Sequence, residues 1–105
     1  MKIAVLFDGA GLARLGLEQA GHTCVGVELD PHKHHLSSFV GHGDCILADV
    51  REFDLTGFDA VWASPPCQQR SQARTQGAPR RADADDLVDW ALALDSPVLW
   101  VENVV

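Results

Sequence analysis

The chain has 105 residues, enough for one domain with a modest core and too few for two. Hydrophobic residues make up 47% and charged residues 22%, which excludes a disordered tail, and no apolar run approaches the roughly 20 residues that span a bilayer. A net charge of −7 disfavours nonspecific nucleic-acid binding by the chain as a whole.

In chain order, IAVLF (3–7) is a continuous apolar run closed by Asp8 and Gly9, the pattern of a buried parallel strand. Between Gly11 and Gly21, residues Leu12, Leu15, Leu17 and Ala20 suit a helix that Gly21 ends. TCVGVEL (23–29) predicts a second strand, and Pro31 opens a short helix through about Val40. CILAD (45–49) and DAVWAS (59–64) predict a third and a fourth strand. Residues 65–81 hold three prolines and read as a long loop. A helix from Asp83 to Leu94 follows, its acidic first turn suiting the positive end of the dipole, and PVLWVENV (97–104) predicts a fifth strand. Strand–helix alternation implies an α/β fold, a mostly parallel sheet with helices on both faces.

The opening MKIAVLFDGAG lacks the features of a signal peptide, so a cytoplasmic location is expected. Three cysteines at wide spacing (Cys24, Cys45, Cys67) argue against a disulfide framework and fit a reduced cytosol. Charge is sorted by segment: Arg70, Arg74, Arg80 and Arg81 are half of the eight basic residues, and Asp83, Asp85, Asp86 and Asp89 reverse the sign.

In parallel sheets of this kind ligands bind beyond the carboxyl ends of the strands. Polar residues and glycines gather at those ends: Asp8–Gly11, Glu28, Asp49, Ser64–Gln68 and Glu102–Asn103. Gly9 and Gly11 let backbone pass close to a ligand, and Glu28 can accept hydrogen bonds from ribose hydroxyls. The dinucleotide fingerprint needs a third glycine where Arg14 stands, so a nucleoside cofactor without phosphates, such as S-adenosylmethionine, fits better. Asp49 could then accept from an adenine amino group. A tight turn with surface acids is the bland alternative. Two prolines hold Cys67 at the rim, where a thiolate aided by the arginines is placed as a nucleophile. The competing reading is a buried structural cysteine, and that reading is adopted for Cys24 and Cys45. His32, His34 and His35 read as a solvated helix start, with no metal site expected. Trp62, Trp90 and Trp100 fall in strand or helix patterns and read as core.

Together these stretches resemble the cytosine-5 DNA methyltransferases. LFDGAG (6–11), VELDP (27–31), ADV (48–50), SPPCQ with Ser71 (64–71) and VENV (101–104) resemble successive motifs of that family, in order. Cysteine after the proline pair separates them from the amino-methylating enzymes, which carry Tyr or Phe there. The resemblance implies a Rossmann-like methyltransferase domain using S-adenosylmethionine, with Phe7, Gly9, Gly11, Glu28, Leu29, Asp49, Val50 and Pro66 at the cofactor. It implies Cys67 as the nucleophile at cytosine carbon 6 and Glu102 as its partner at ring nitrogen 3 and the amino group. Gln68, Arg70, Ser71, Arg74, Arg80 and Arg81 would meet the nucleic acid. Leu12 stands in place of a second glycine, Val5 in place of a common acid, and Arg70 where an aromatic residue is frequent.

The family continues with an arginine-containing motif, a target-recognition region and a last motif that completes the cofactor pocket. The expectation is therefore a domain over 1–105 that is incomplete at its C-terminal end. It would be the N-terminal portion of a longer enzyme, or half of a split one with a complementing C-terminal partner. DNA is the expected substrate, with no membrane partner. A tRNA cytosine-5 methyltransferase and a noncatalytic cofactor-binding remnant or subunit are the alternatives. A dinucleotide-dependent oxidoreductase gives no role to SPPCQ.

Overall fold

A computed structural model describes residues 1–65 and 82–102, with side chains 82–86 outside the description. Five parallel strands, β1 (Lys2–Leu6), β2 (Thr23–Glu28), β3 (Cys45–Leu47), β4 (Ala60–Ala63) and β5 (Leu99–Val101), form one sheet in the order β3-β2-β1-β4-β5. The chain runs outward from β1 through β2 to β3, then crosses back to lay β4 on the other side of β1. The topological switch point therefore lies between β1 and β4, and a crevice opens at their carboxyl ends.

The apolar run of β1 serves both faces, which is why it does not alternate with polar residues. Ala4 and Leu6 join Val27, Val61 and Ala63 in one fully buried cluster, to which Ala91 of α3 (Ala82–Leu92) contributes. Ile3 and Val5 join Cys24 and Ala60 on the opposite face, under Ala13 and Leu17 of α1 (Leu12–Gln19). Helices on both faces of a parallel sheet bear out the expected fold. The third helix, α2 (Pro31–Ser37), begins as its sequence dictates, with Pro31 in the first turn and the Asp30 carboxylate accepting from the N–H of His32 at 2.9 Å.

Four sequence expectations need correction, the first being the fifth strand, expected over 97–104, which runs only from Leu99 to Val101. The third strand stops at Leu47 rather than Asp49, because Asp49 turns to cap a 3-10 turn, Val50–Glu52, with its carboxylate on the Arg51 N–H. The second helix ends at Ser37, short of Val40. Trp100 is 40% exposed, not core: α1 covers the face over Ile3, Val5 and Cys24, and Trp100 stands beyond it with its ring 6.0 Å from that of Trp62. Trp62 and Trp90 are half-buried. The predicted loop over 65–81 lies, beyond Pro65, outside the described residues. No helix among the described residues is long and apolar enough to cross a membrane.

Candidate functional site

The site starts where β1 ends. Phe7 takes φ 58°, a left-handed conformation rare for a bulky side chain and a usual mark of a constrained functional turn. Its ring meets Trp90 of α3 edge-on at 6.3 Å, which fixes the side chain on one wall of the crevice. The Asp8 N–H then continues the β1–β2 ladder onto the Val27 carbonyl at 3.0 Å. The next N–H, from Gly9, donates to Glu28 Oε1 at 2.7 Å, and the Asp30 N–H donates to Glu28 Oε2 at 2.9 Å.

Glu28 is thus oriented from both sides at the end of β2, with 9% of its surface exposed. A carboxylate has about four acceptor directions, so two backbone donors leave capacity for two hydroxyls. Leu29 beside it is 61% exposed, an apolar surface next to an anionic acceptor. That combination suits a ribose carrying a planar base. Asp49 lies two residues beyond the end of the neighbouring strand β3, its carboxylate held by the Arg51 guanidinium at 2.8 and 3.1 Å. The Arg51 hydrogen bonds hold its carboxyl below the usual range, so it stays an acceptor. The Val50 side chain is turned into the core, at 4% exposure.

Across the switch point, β4 ends at Ala63, followed by Ser64 and the buried Pro65. The Ser64 hydroxyl accepts from the Trp62 indole N–H at 3.0 Å. The Glu102 N–H donates to the Ala63 carbonyl at 2.9 Å, so Glu102 emerges exposed at the same level as the start of SPPCQ. Pro66, Cys67, Gln68, Arg70, Ser71, Arg74, Arg80 and Arg81 lie outside the described residues, as do Asn103 and Val104. The sheet thus brings together Phe7, Gly9, Glu28 and Leu29 on one side, with Glu102 next to the strand that leads into Cys67 on the other.

Asp8 departs from the expected rim: its side chain turns inward and is 5% exposed. It pairs with the fully buried Arg14 (Nε to Oδ2, 3.2 Å) and accepts from the Ser37 hydroxyl. Gly26 makes this fit, because a Cβ there would stand 2.5 Å from Asp8 Oδ2. In the sequence Arg14 is noticeable only for breaking the glycine fingerprint. The missed signal is its position: Arg14 sits between Ala13 and Leu17 on the face of α1 that packs inward, where a guanidinium requires a buried acid.

Glu18 completes the cluster, accepting from Arg14, from the His42 N–H at 2.6 Å and from the Gly43 N–H at 2.9 Å. Burial alone would raise its pKa, but those two N–H groups and the guanidinium together lower it. A carboxyl with a lowered folded pKa contributes stability above its unfolded value, near 4.5, that is lost as pH falls through the folded value. Glu18→Gln should therefore cost stability at pH 7 and progressively less toward pH 3. Urea midpoints across that range check this, and a cost independent of pH would contradict it.

Cys24 is buried and its thiol is pushed up by burial, as expected of a packing cysteine. Cys45 is only half-buried at the start of β3, and burial chiefly pushes its thiol up to about 11. Neither is an activated nucleophile. His32 and His35 are exposed, whereas His34 Nε2 lies 2.8 Å from the Cys45 carbonyl oxygen. No group of ligating side chains able to hold a metal occurs among the described residues.

The fold is a Rossmann-like parallel sheet with helices on both faces. Two solved structures share it. The Pyrococcus abyssi tRNA (uracil-54, C5)-methyltransferase, in complex with S-adenosyl-L-homocysteine, superposes with a TM-score of 0.56 at 24% identity over 62% of this chain and 18% of its own. The plantazolicin methyltransferase BpumL superposes with a TM-score of 0.60 at 10% identity over 99% of this chain and 39% of its own. The model of the C-5 cytosine-specific DNA methylase family matches residues 1–104, and the chain belongs to that family. The type II methyltransferase M2.BsuMI of Bacillus subtilis is 41% identical over 75 residues, 70% of this chain. The chain spans 19% of the length of that relative.

Proposed function

We propose that residues 1–105 form the S-adenosylmethionine-binding and catalytic part of a DNA cytosine-5 methyltransferase that acts in the cytoplasm, either as the N-terminal portion of a longer enzyme or together with a complementing C-terminal half. The observation that carries the reading is the convergence, at one switch point, of the Gly9–Glu28–Leu29 cradle and Glu102 beside the exit toward Cys67. Glu28 would hold the ribose hydroxyls, Leu29 and Phe7 would border the adenine, Asp49 would accept from its amino group, and Gly9 and Gly11 would face the methionine portion. Val50 and Pro66 would border the same cavity, Val50 through its main chain.

S-adenosylmethionine, when bound, supplies the methyl group. Carbon 5 of cytosine is a weak nucleophile, so the ring has to be activated from this chain. The Cys67 thiolate would add to carbon 6, while Glu102 shares a proton with ring nitrogen 3 and holds the amino group. Once carbon 5 carries the methyl group, transfer of the carbon 5 proton to a base, with its electrons reforming the 5,6 double bond as the Cys67–carbon 6 bond breaks, would restore the ring and free the thiolate. A paired cytosine exposes neither face, so the base would be flipped out, with Gln68, Arg70, Ser71, Arg74, Arg80 and Arg81 along the polynucleotide.

Calorimetry tests the cofactor site. Glu28→Ala should weaken S-adenosylmethionine binding by about a hundredfold or more, because it removes two bonds to a charged acceptor, each worth about 1.5–3 kcal/mol. Unchanged affinity would remove Glu28 from the site. Competition of DNA against tRNA in the complemented enzyme ranks the two polymers.

A further inference from the structure

We propose that Arg14 is the positioning residue of the loop Asp8–Gly11, acting on the cofactor cradle through Asp8 and Gly9 without meeting the cofactor; this rests on the cofactor reading given above. The guanidinium carries five N–H donors, and every one is used. Nε donates to Asp8 Oδ2 at 3.2 Å. Nη1 donates to Glu18 Oε1 at 3.1 Å and to the Gly43 carbonyl at 2.8 Å. Nη2 donates to the Ser37 carbonyl at 2.7 Å and to its hydroxyl at 2.8 Å. One planar group thereby ties together the turn after β1, the helix α1, the end of α2 and the stretch before β3.

What it fixes is the turn that leads to Glu28. Asp8 is held at three points: its N–H on Val27, its carbonyl oxygen on the Gly11 N–H at 3.0 Å, and its carboxylate on Arg14 and Ser37. With Asp8 fixed, the following N–H of Gly9 has one direction left, toward Glu28 Oε1 at 2.7 Å. Gly11 belongs to the same device. Its φ is +90°, and a Cβ there would stand 3.0 Å from both Arg14 Nη2 and Ser37 Oγ. The absence of a side chain at 11 is therefore what admits the guanidinium, whatever else passes that glycine. A lysine cannot reproduce the arrangement, since its compact ammonium offers three donors from one point rather than a planar fork.

Amide hydrogen exchange on the 105-residue chain tests the assignment. In Arg14→Lys and in the milder Ser37→Ala, the Gly9 and Asp30 amides, which both donate to Glu28, should exchange roughly tenfold faster relative to the strand amides of Val5 and Val61. Unchanged exchange at Gly9 and Asp30, or acceleration only in proportion to Val5 and Val61, would reduce Arg14 to a general contributor to stability and overturn the proposal. Should Arg14→Lys not fold, Ser37→Ala decides alone by the same two outcomes. S-adenosylmethionine affinity, measured in the same variants with the complementing half, should fall by a similar factor. An unmodified protein that binds no S-adenosylmethionine would overturn the cofactor reading, while the exchange result still decides the role of Arg14.

Discussion

Replacing Cys67 with serine, in the complete enzyme or in the chain combined with a complementing C-terminal half, should leave S-adenosylmethionine binding intact and lower methyl transfer by roughly a thousandfold or more. A serine hydroxyl is almost never ionised near pH 7, whereas a thiol is a few per cent thiolate and intrinsically more nucleophilic. The other two cysteines provide the control. Cys24→Ser puts a hydroxyl into the apolar cluster around Ile3 and Val5, where it should cost about 1–3 kcal/mol of stability with turnover per folded molecule retained. Cys45→Ser should cost less, because that side chain is only half-buried. Rate assays beside equilibrium unfolding separate the two kinds of effect, and wild-type turnover in Cys67→Ser would refute the nucleophile assignment.

The second large effect is on stability. Arg14→Met should destabilise the chain by about 3–5 kcal/mol, because it strands the Asp8 carboxylate in the interior. Asp8 Oδ1 has no hydrogen-bond partner among the described residues, so the carboxylate depends on what Oδ2 receives from Arg14 and Ser37. Removing both charges in Asp8→Asn/Arg14→Met should recover much of the loss, since a buried pair replaced as a unit is often close to neutral. Urea unfolding of the single and double variants measures the difference. Additive losses would mean that the two groups are not coupled.

Strands β1, β2 and β4 were legible because a buried parallel strand is a largely apolar run, and IAVLF, CVGV and AVWA are such runs bounded by polar residues. The position of Glu28 was legible for the same reason: it is the carboxylate at the carboxyl end of the second strand. Asp8 was not. It stands at the end of a strand as the rim acids do, and only the tertiary approach of α1, Ser37 and the side-chain-free Gly26 turns it inward. The 3-10 turn at Val50–Glu52 was hidden because Asp49 serves equally as a strand-end acid or as a cap, and local hydrogen bonding to Arg51 decides for the cap. Trp100 read as core because its strand is apolar, yet how far α1 extends across the sheet is a property of packing that periodicity does not encode.

The central claim is that this chain supplies the cysteine that adds to cytosine. The most direct measurement is covalent trapping: the complete enzyme, or the chain with a complementing half, with S-adenosylmethionine and a DNA duplex carrying 5-fluorocytosine at the target position, resolved under denaturing conditions and mapped by peptide mass spectrometry. Fluorine at carbon 5 cannot leave as a proton does, so the adduct persists once the methyl group has been transferred. The account predicts a stoichiometric protein–DNA adduct on the peptide containing Cys67. An adduct on another residue, or a methylated product with no adduct at all, would contradict it.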